Sequence, residues 1–387
     1  MLAIIRRGLA AAFLTLVLSA CQVIPDTGVS APSVPPTPQV DEPSDALPTD
    51  TGRHRVALLV PLSGSNAEVG RSIANATTMA LLDTSAENLR ITTYDTATGA
   101  GTAAARAISD GNKLILGPLL RDDVSAVLGQ ARAADVPLIS FSNDSSVAAP
   151  DVFVMGHMPE QSVARTVGYA ARQGARRFAA LVPTGEYGNR AAGALAAAVT
   201  EANGNLVATE RFDRGNTSII SAAERLRATG GFDAVLIAEG PRLSAMAAGA
   251  LANNEAGGGR RPNLLGTELW SGEATIANAE GMRGAWFSAV SDDRYRQFVD
   301  SYQSRFGEAP YRLATLGYDA VLLALRVAQE WQPGTPFPTR LMTDEGGFLG
   351  LDGPFRFTRD GVGERAMEVR QVGAGTISVV DPAPARF

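Results

Sequence analysis

The chain has 387 residues, of which 45% are hydrophobic and 19% are charged. This length exceeds what one compact core of ordinary size holds, so two lobes are expected. The composition is that of a globular protein, and the net charge of −6 argues against nucleic acid as a partner. Lys113 is the single lysine, which excludes a phosphate-binding loop of the Gly-Lys-Ser/Thr type.

The first twenty residues have the pattern of an export signal. Arg6 and Arg7 form a positive n-region, and residues 9–18 form an apolar stretch too short to span a bilayer in the usual way. The sequence Leu18-Ser19-Ala20-Cys21 then resembles the lipobox of bacterial lipoproteins. Residues 1–20 are therefore predicted to be a lipoprotein signal peptide.

The lipobox resemblance implies cleavage before Cys21 and a lipid anchor on that residue. A short membrane anchor with an incidental cysteine is the alternative. The lipidated chain would be held on the periplasmic side of a membrane. Gln22 is not an aspartate, and the sorting rule of enterobacterial lipoproteins then indicates the outer membrane.

Residues 21–52 are predicted to be a disordered, Pro-rich tether. Prolines recur through this stretch among Ser, Thr, Asp and Glu, so it cannot bury a core. At about 3.1 Å per residue, the tether would reach roughly 90 Å.

The first lobe begins at about residue 53 with a strand, a turn and a helix. Residues 56–60 are an unbroken apolar run that Pro61 ends, and Ser63-Gly64-Ser65 follow as a turn. Apolar residues then recur at helical spacing from Val69 to Ala80. This pattern is typical of the first βα unit of a doubly wound parallel sheet. Further strands are predicted at 89–94, 113–116 and 137–140.

A second series of such units starts after residue 156 and forms a coarse internal repeat. Strands are predicted at 177–182, 205–211, 234–238 and 263–266, with a Gly-rich turn at 257–259. Crossings near 156 and 289 would join the lobes. We predict an α/β fold of two doubly wound parallel-sheet lobes with a cleft between them. The predicted boundaries are 53–156 with 290–347 for lobe 1, and 157–289 with 348–387 for lobe 2.

The residues do not indicate catalysis, a metal site or a cofactor. The two histidines stand apart, with His54 at the start of the first strand and His157 at the predicted crossing. His157 either lines the cleft or packs in the hinge. No Gly-x-Ser-x-Gly elbow is present. The Gly-x-Gly-x-x-Ala pattern at 361–366 lies between two predicted strands, so we interpret it as a hairpin turn.

Polar residues at the strand ends are the better candidates, because ligands of such folds bind at that edge of the sheet. Each residue alone also fits a structural role such as helix capping. The candidate ligand-binding residues are Ser63, Ser65, Leu119, Arg121, Ser142, Asn143, Tyr187 and Glu268.

Several segments together resemble the type 1 periplasmic-binding fold of leucine-binding proteins over roughly residues 54–380. They are 56–70, Gly117-Pro118-Leu119, 137–140, Glu186-Tyr187-Gly188 and Tyr318-Asp319-Ala320. Tyr94-Asp95-Thr96-Ala97, and 117–121 with its Arg121, are more similar to penicillin-binding protein activators, which are outer-membrane lipoproteins. Those activators often carry a helical-repeat domain where this chain has its tether.

The resemblance implies roles for an amino-acid ligand. Arg121 and the loop 142–144 would hold the carboxylate, Tyr187 would form a wall and Glu268 would pair with the ammonium group. Arg121 and Asp144 depart from the small hydroxyl residues that leucine-binding proteins have there. An acidic Asp144 beside a carboxylate is unfavourable unless it is compensated.

Three hypotheses follow for function. The first is a non-enzymatic lipoprotein that activates a cell-wall synthase (a penicillin-binding protein) by contact. The second is the solute receptor of an ABC importer for branched-chain amino acids or amides, working with its permease. The third is an enzyme, which the scarcity of His, Lys and Cys disfavours.

We expect Cys21→Ser to abolish acylation and release the chain from membranes. The hydroxyl of serine cannot take the place of the thiol in this modification. Labelling with a clickable palmitate analogue and membrane fractionation would measure both effects. Ser19→Ala, two residues earlier, is the control and should stay labelled. Membrane retention of the serine variant would contradict the prediction.

Overall fold

The computed structural model describes residues 52–252 and 261–385. The predicted signal peptide, Cys21, nearly all of the tether and the turn at 257–259 lie outside the described residues. Among the helices of the described ranges, none combines the length and apolar character that a membrane span requires.

The first sheet has the strand order β2-β1-β3-β4-β5, and its neighbouring strands all run parallel. Its strands are β1 (His54–Val60), β2 (Leu89–Asp95), β3 (Leu114–Leu116), β4 (Leu138–Ser140) and β5 (Val152–Val154). The helices α1 (Ala67–Asp83), α2 (Ala100–Ser109) and α3 (Arg121–Ala131) connect them.

Strand β1 explains why this sheet is covered on both faces. Val56 and Leu58 pack into one buried cluster, whereas Ala57 and Leu59 pack into another. Successive side chains of a strand point to opposite faces. The unbroken apolar run in the sequence therefore gives a strand with helices on either side, as predicted.

The second sheet has the order β15-β14-β10-β9-β8-β6-β7. Strands β6 to β10 are parallel, whereas β14 and β15 add antiparallel strands beside β10. Its strands are β6 (Arg177–Pro183), β7 (Asn205–Phe212), β8 (Ala234–Ile237), β9 (Asn263–Gly266), β10 (Trp286–Ala289), β14 (Glu368–Val372) and β15 (Ile377–Asp381). Its helices are α4 (Pro159–Arg172), α5 (Glu186–Glu201), α6 (Ser218–Thr229) and α7 (Pro241–Ala252).

The order β7-β6-β8-β9-β10 repeats the order of the first sheet strand for strand. The internal repeat is thus present in the topology. In each lobe the strand order reverses beside the first strand, between β1 and β3 or between β6 and β8. Folds of this type bind ligands at that reversal.

The helices α8 (Tyr295–Phe306) and α9 (Ala314–Ala328) return to the first lobe. Leu316 and Ala320 of α9 share a buried cluster with Val56 of β1. A small antiparallel sheet follows, in the order β11-β12-β13. Its strands are β11 (Phe348–Gly350), β12 (Gly353–Phe357) and β13 (Gly363–Arg365).

This small sheet lies in a different lobe from the one the sequence analysis assigned. Phe355 and Phe357 pack in the same cluster as Val56, whereas β14 and β15 extend the second sheet. Residues 348–365 therefore belong with lobe 1, and the chain crosses at 366–367 instead of at 348. The apolar alternation of a strand shows that one face is buried, but not which core buries it. The pattern at 361–366 contains the end of the turn after β12 and then β13 itself, so only its first residues belong to the predicted hairpin turn.

Two glycines at equivalent points bring each first helix close to its strand. A Cβ on Gly70 of α1 would lie 1.8 Å from the carbonyl oxygen of Pro61, and a Cβ on Gly188 of α5 would lie 1.8 Å from that of Pro183. Both prolines follow a valine at the end of the strand. The bare backbone lets both helix N-termini approach the edge where the strands end.

We expect Gly188→Ala to lower the free energy of unfolding by about 2 kcal/mol or more, because its methyl group would overlap the carbonyl of Pro183. Gly193→Ala in the same helix is the matched control. Gly193 is exposed and has no atom within 4 Å of the Cβ position, so this change should stabilise by about 0.5–1 kcal/mol. Urea denaturation would measure both. Equal stability of the two variants would contradict the packing argument.

Candidate ligand-binding site

A cavity of about 400 Å³ lies where the carboxyl ends of both sheets meet the hinge. Lobe 1 contributes Asn66, Val69, Leu119, Leu120, Phe141 and Asn143. The first crossing contributes His157, the loop before α9 contributes Arg312 and Leu313, and lobe 2 contributes Glu268, Leu269, Ser271 and Glu273. A groove of about 480 Å³ lies between α4 and α5 on lobe 2 alone. We therefore take the cavity shared by both lobes as the candidate site.

Glu268 is a buried acid in the wall of this cavity. It follows β9 in a single helical turn and is 9% exposed. The hydroxyl of Tyr187 donates a hydrogen bond of 3.0 Å to its Oε1, and Thr267 lies 2.9 Å from the same hydroxyl. Its Oε2 is buried and has no hydrogen-bond partner within the described ranges.

Burial raises the pKa of Glu268 to about 7, although the hydrogen bond from Tyr187 acts in the opposite direction. Burial also raises the pKa of Tyr187 well above its ordinary value, so this phenol stays protonated and donates. Oε2 of Glu268 is thus left as an acceptor without a donor in the described chain.

Tyr187 lies in the first turn of α5, directly after β6. Helix α5 begins at Glu186, because Gly185 takes a positive φ of 95° to enter it and Gly188 fits beneath the carbonyl of Pro183. The guanidinium of Arg214 lies 5.0 Å from the centre of the Tyr187 ring. The phenol is therefore fixed by its helix and by a cation above its face.

Asp144, the acidic departure noted in the sequence, is compensated. The Nε atom of Arg121 lies 2.8 Å from Asp144 Oδ2, and the amide of Ser146 donates to Oδ1 over 2.9 Å. Burial alone would raise the pKa of Asp144, but Ser146 and the charges of Arg190 and Arg121 hold it below its ordinary value. The charge of Arg121 is thus directed to a protein carboxylate.

Arg190, which the sequence analysis did not select, connects the two lobes. Its Nε and Nη2 atoms bind Glu160 of lobe 2 over 2.6 and 2.7 Å. Its Nη2 also donates to the carbonyl of Asn143 in lobe 1 over 2.6 Å. Arg190 lies three residues after Tyr187, and this helical spacing was a usable signal that both occupy one face.

Some predicted residues lie away from the cavity. Ser63 and Ser65 are exposed, and the hydroxyl of Ser63 donates to Asp95 over 2.9 Å. Ser142 is buried, and its hydroxyl accepts a bond of 3.1 Å from the amide of Asp144. These serines shape loops, whereas Leu119, Asn143 and Glu268 line the cavity directly.

The hinge beneath the cavity is built around Asp352, which is fully buried. His157 Nε2 lies 2.8 Å from its Oδ2, and Thr315 donates to the same oxygen over 2.9 Å. Arg312 Nη1 donates to its Oδ1 over 2.7 Å. His157 therefore both lines the cavity and packs in the hinge, the two roles that the sequence left open as alternatives.

A second buried carboxylate continues this network. Arg365 Nη1 lies 3.4 Å from Asp319 and 3.8 Å from Asp352, and its Nη2 donates to the carbonyl of Met155 over 3.0 Å. Burial and the charge of Asp352 raise the pKa of Asp319 to about 7. Burial would also raise the pKa of Asp352, but Arg312, His157 and Arg365 hold it well below its ordinary value.

Leu119 and His157 were among the residues considered from the sequence, whereas the other apolar lining residues and Arg312 were not. Val69 and Phe141 adjoin predicted elements, and their positions beside strand ends could have indicated them. Arg312 carried no such signal, because it lies far along the chain and reaches the cavity only through the hinge. Over residues 52–252 and 261–385, no group of three or more His, Cys, Asp or Glu side chains is arranged to hold a metal ion.

Two doubly wound lobes, chain crossings beneath a shared cavity and free polar atoms in that cavity define a type 1 periplasmic-binding fold with a ligand cleft. The family model described as "Periplasmic binding protein" matches residues 54–376. The chain belongs to this family, whose members are substrate-binding proteins.

Solved structures agree with this assignment at the level of fold. The isoleucine-bound substrate-binding protein LivJ of Streptococcus pneumoniae is 19% identical, with a TM-score of 0.63 over 86% of this chain and 100% of that one. A branched-chain amino acid ABC transporter ligand-binding protein of Burkholderia xenovorans is 15% identical, with a TM-score of 0.69 over 85% and 96%. A solute-binding protein of Rhodopseudomonas palustris with 3,4-dihydroxybenzoic acid is 18% identical, with a TM-score of 0.66 over 86% and 99%.

A curated relative, "Uncharacterized protein RP748" of Rickettsia prowazekii (strain Madrid E), is 28% identical over 173 residues. The match covers 44% of this chain and 46% of that protein. The chain thus spans less than half the length of this relative.

We expect Glu268→Gln to remove a loss of stability that the wild-type protein shows as pH rises. The pKa of this acid is 4.5 without perturbation and about 7 in the folded protein. Between these values the folded state binds more protons, so the free energy of unfolding falls with rising pH, by roughly 3 kcal/mol at most. Relative to the wild type, the variant should therefore become more stable between pH 4.5 and 7, and this difference in the free energy of unfolding should persist above pH 7.

Thermal unfolding at several pH values would measure this difference. Tyr187→Phe is the matched variant, because it keeps the carboxyl and removes the bond that lowers its pKa; the pH trend should then persist. A Glu268→Gln curve parallel to that of the wild type would contradict the assignment.

Proposed function

We propose that this chain is a non-enzymatic, lipid-anchored receptor of the periplasm whose cleft binds a small polar ligand. One observation carries this proposal: Glu268 Oε2, Ser271 Oγ and the Nε and Nη2 atoms of Arg312 are buried without hydrogen-bond partners in the described chain, and all three residues line one cavity. Buried polar atoms in proteins almost always have partners. A ligand with both donor and acceptor groups would supply them.

The rest of the cavity suits an apolar ligand body. Leu119, Phe141 and Leu313 line it from lobe 1, and Leu269 lines it from lobe 2. The volume of about 400 Å³ falls within the range of small-molecule pockets, about 300–1,000 Å³. An amino acid, an amide or a small aromatic acid has the required size and polarity.

The relatives support a transport role. Structures similar to this chain are solute receptors of ABC transporters, with isoleucine or 3,4-dihydroxybenzoic acid as bound ligands. On this proposal the chain delivers a branched-chain amino acid, an amide or a related small molecule to a permease.

A second candidate is activation of a cell-wall synthase, as in the penicillin-binding protein activators. The contact of Arg190 with Asn143 favours it, since this contact holds the lobes together through protein groups alone. The pairing of Arg121 with Asp144 points the same way, because it withdraws the predicted carboxylate site from a ligand. The predicted outer-membrane anchor and tether would let such a module reach a synthase.

Thermal shift of the chain from Gln22 onward, refolded to remove carried ligand, tests the receptor role. A ligand at about 100 times its Kd should stabilise the protein by about 2.7 kcal/mol. We expect Asn143→Trp to abolish the shift, because the exposed Asn143 lines the cavity. Asn88→Trp, at an exposed residue before β2 at the opposite end of the sheet, should retain it.

If the folded protein shows no thermal shift with any amino acid, amide or aromatic acid tested, the receptor role is contradicted. The second candidate has its own readout, the rate of glycan polymerisation by a purified penicillin-binding protein with and without the chain. An unchanged rate and no direct binding would exclude activation of that synthase.

A further inference from the structure

Arg312 stands at the junction of the hinge and the cavity. Its Nη1 atom is engaged by Asp352 and Thr315 over 2.7 and 3.0 Å. Its guanidinium lies 4.2 Å from the ring centre of Tyr295, and a Cβ on Gly272 of lobe 2 would lie 3.3 Å from its Cδ. The side chain is thus held in one orientation and is 13% exposed.

The other edge of this guanidinium makes no hydrogen bond within the described chain. Its Nε and Nη2 atoms are buried without a hydrogen-bond partner among the residues that the structure describes. Asp292 Oδ1 forms an ion pair with Nη2 at 3.7 Å, a distance too long for a hydrogen bond. Leaving buried donors unpaired costs free energy, so an acceptor belongs at this edge.

The same edge binds carboxylates elsewhere in this protein. Arg190 grips Glu160 with Nε and Nη2 over 2.6 and 2.7 Å, and Arg132 grips Asp151 with these atoms over 2.7 and 3.0 Å. The two N–H groups lie parallel and match the two oxygens of a carboxylate. The Nε and Nη2 atoms of Arg312 form the same two-donor fork, but no carboxylate of the described chain is hydrogen-bonded to it.

The two carboxylates beside Arg312 are shared with other cationic side chains. Asp352 is shared with His157 and Arg365, and Asp292 is shared with Arg370. The negative charges of Asp352 and Asp292 are therefore balanced in part by side chains other than Arg312. The residues predicted to take a ligand carboxylate are already engaged, since Arg121 pairs with Asp144.

We propose that the Nε/Nη2 edge of Arg312 binds the carboxylate of a small organic acid whose apolar body lies against Leu119, Phe141 and Leu313. This inference rests on the proposed function, that the cleft binds a small ligand. It moves the anion site from the loop at Asp144 to the hinge and makes Arg312 the residue that selects acids over amides.

Matched probes test this site by calorimetry on the chain from Gln22 onward. Isovalerate and isovaleramide share one branched body, and benzoate and benzamide share one aromatic body. We expect the wild type to bind at least one acid tenfold or more tightly than its amide. Isoamylamine and benzylamine complete the panel as cations of the same shapes.

Arg312→Lys keeps the positive charge beside Asp352 but loses the fork, so it should weaken binding of the acid at least tenfold and leave any amide binding unchanged. Arg132→Lys makes the same change at an exposed fork outside the cavity and should bind like the wild type. The acid-to-amide ratio in the wild type needs no variant and decides the matter if Arg312→Lys does not fold.

Equal affinity for acid and amide, or undiminished acid binding by Arg312→Lys, would overturn the inference. Binding of amines or amides but of no acid would overturn it too, while leaving the receptor function intact. If none of the six probes binds, the inference is wrong and the receptor proposal loses its support in this panel.

Discussion

The buried carboxylate of Asp352 is the constraint on which the joined lobes depend. It lies between β11 and β12 and binds a histidine from the first crossing and an arginine and a threonine at the start of α9. A buried charge is tolerated only when it is paired and hydrogen-bonded. Each partner must therefore come from a fixed place, and this requirement holds the first crossing against the start of α9 beneath the cavity. Arg312, which donates a hydrogen bond to Asp352, is also part of the cavity wall.

Much of the fold was predictable from the chain because buried parallel strands have a strong signature. The runs at 56–60 and 178–182 are apolar without interruption, and each is followed by proline and a glycine-containing turn. Two such units of the same plan predicted two lobes. The final strands were assigned to the wrong lobe. The pattern of 353–357 shows that one face of the strand is buried, but not which lobe buries it.

The candidate site was only partly predictable, for a physical reason. Strand ends lie at a known edge of the sheet, so Leu119, Asn143 and Glu268 could be selected from topology alone. Whether a polar group faces the cavity or a neighbour depends on contacts between distant parts of the chain. The hydroxyl of Ser63 binds Asp95, and Arg121 pairs with Asp144, so neither is available to a ligand. Arg312, far along the chain, lines the cavity.

The bond from Arg190 to the carbonyl of Asn143 has a consequence for ligand affinity. A receptor whose binding-competent arrangement is rarely populated has an apparent Kd raised by that rarity. A protein contact between the lobes increases the population of the joined arrangement before any ligand arrives. Each factor of ten in that population, about 1.4 kcal/mol, tightens apparent binding tenfold until the joined form predominates. The same arginine would slow release, because the lobes must part before the ligand can leave.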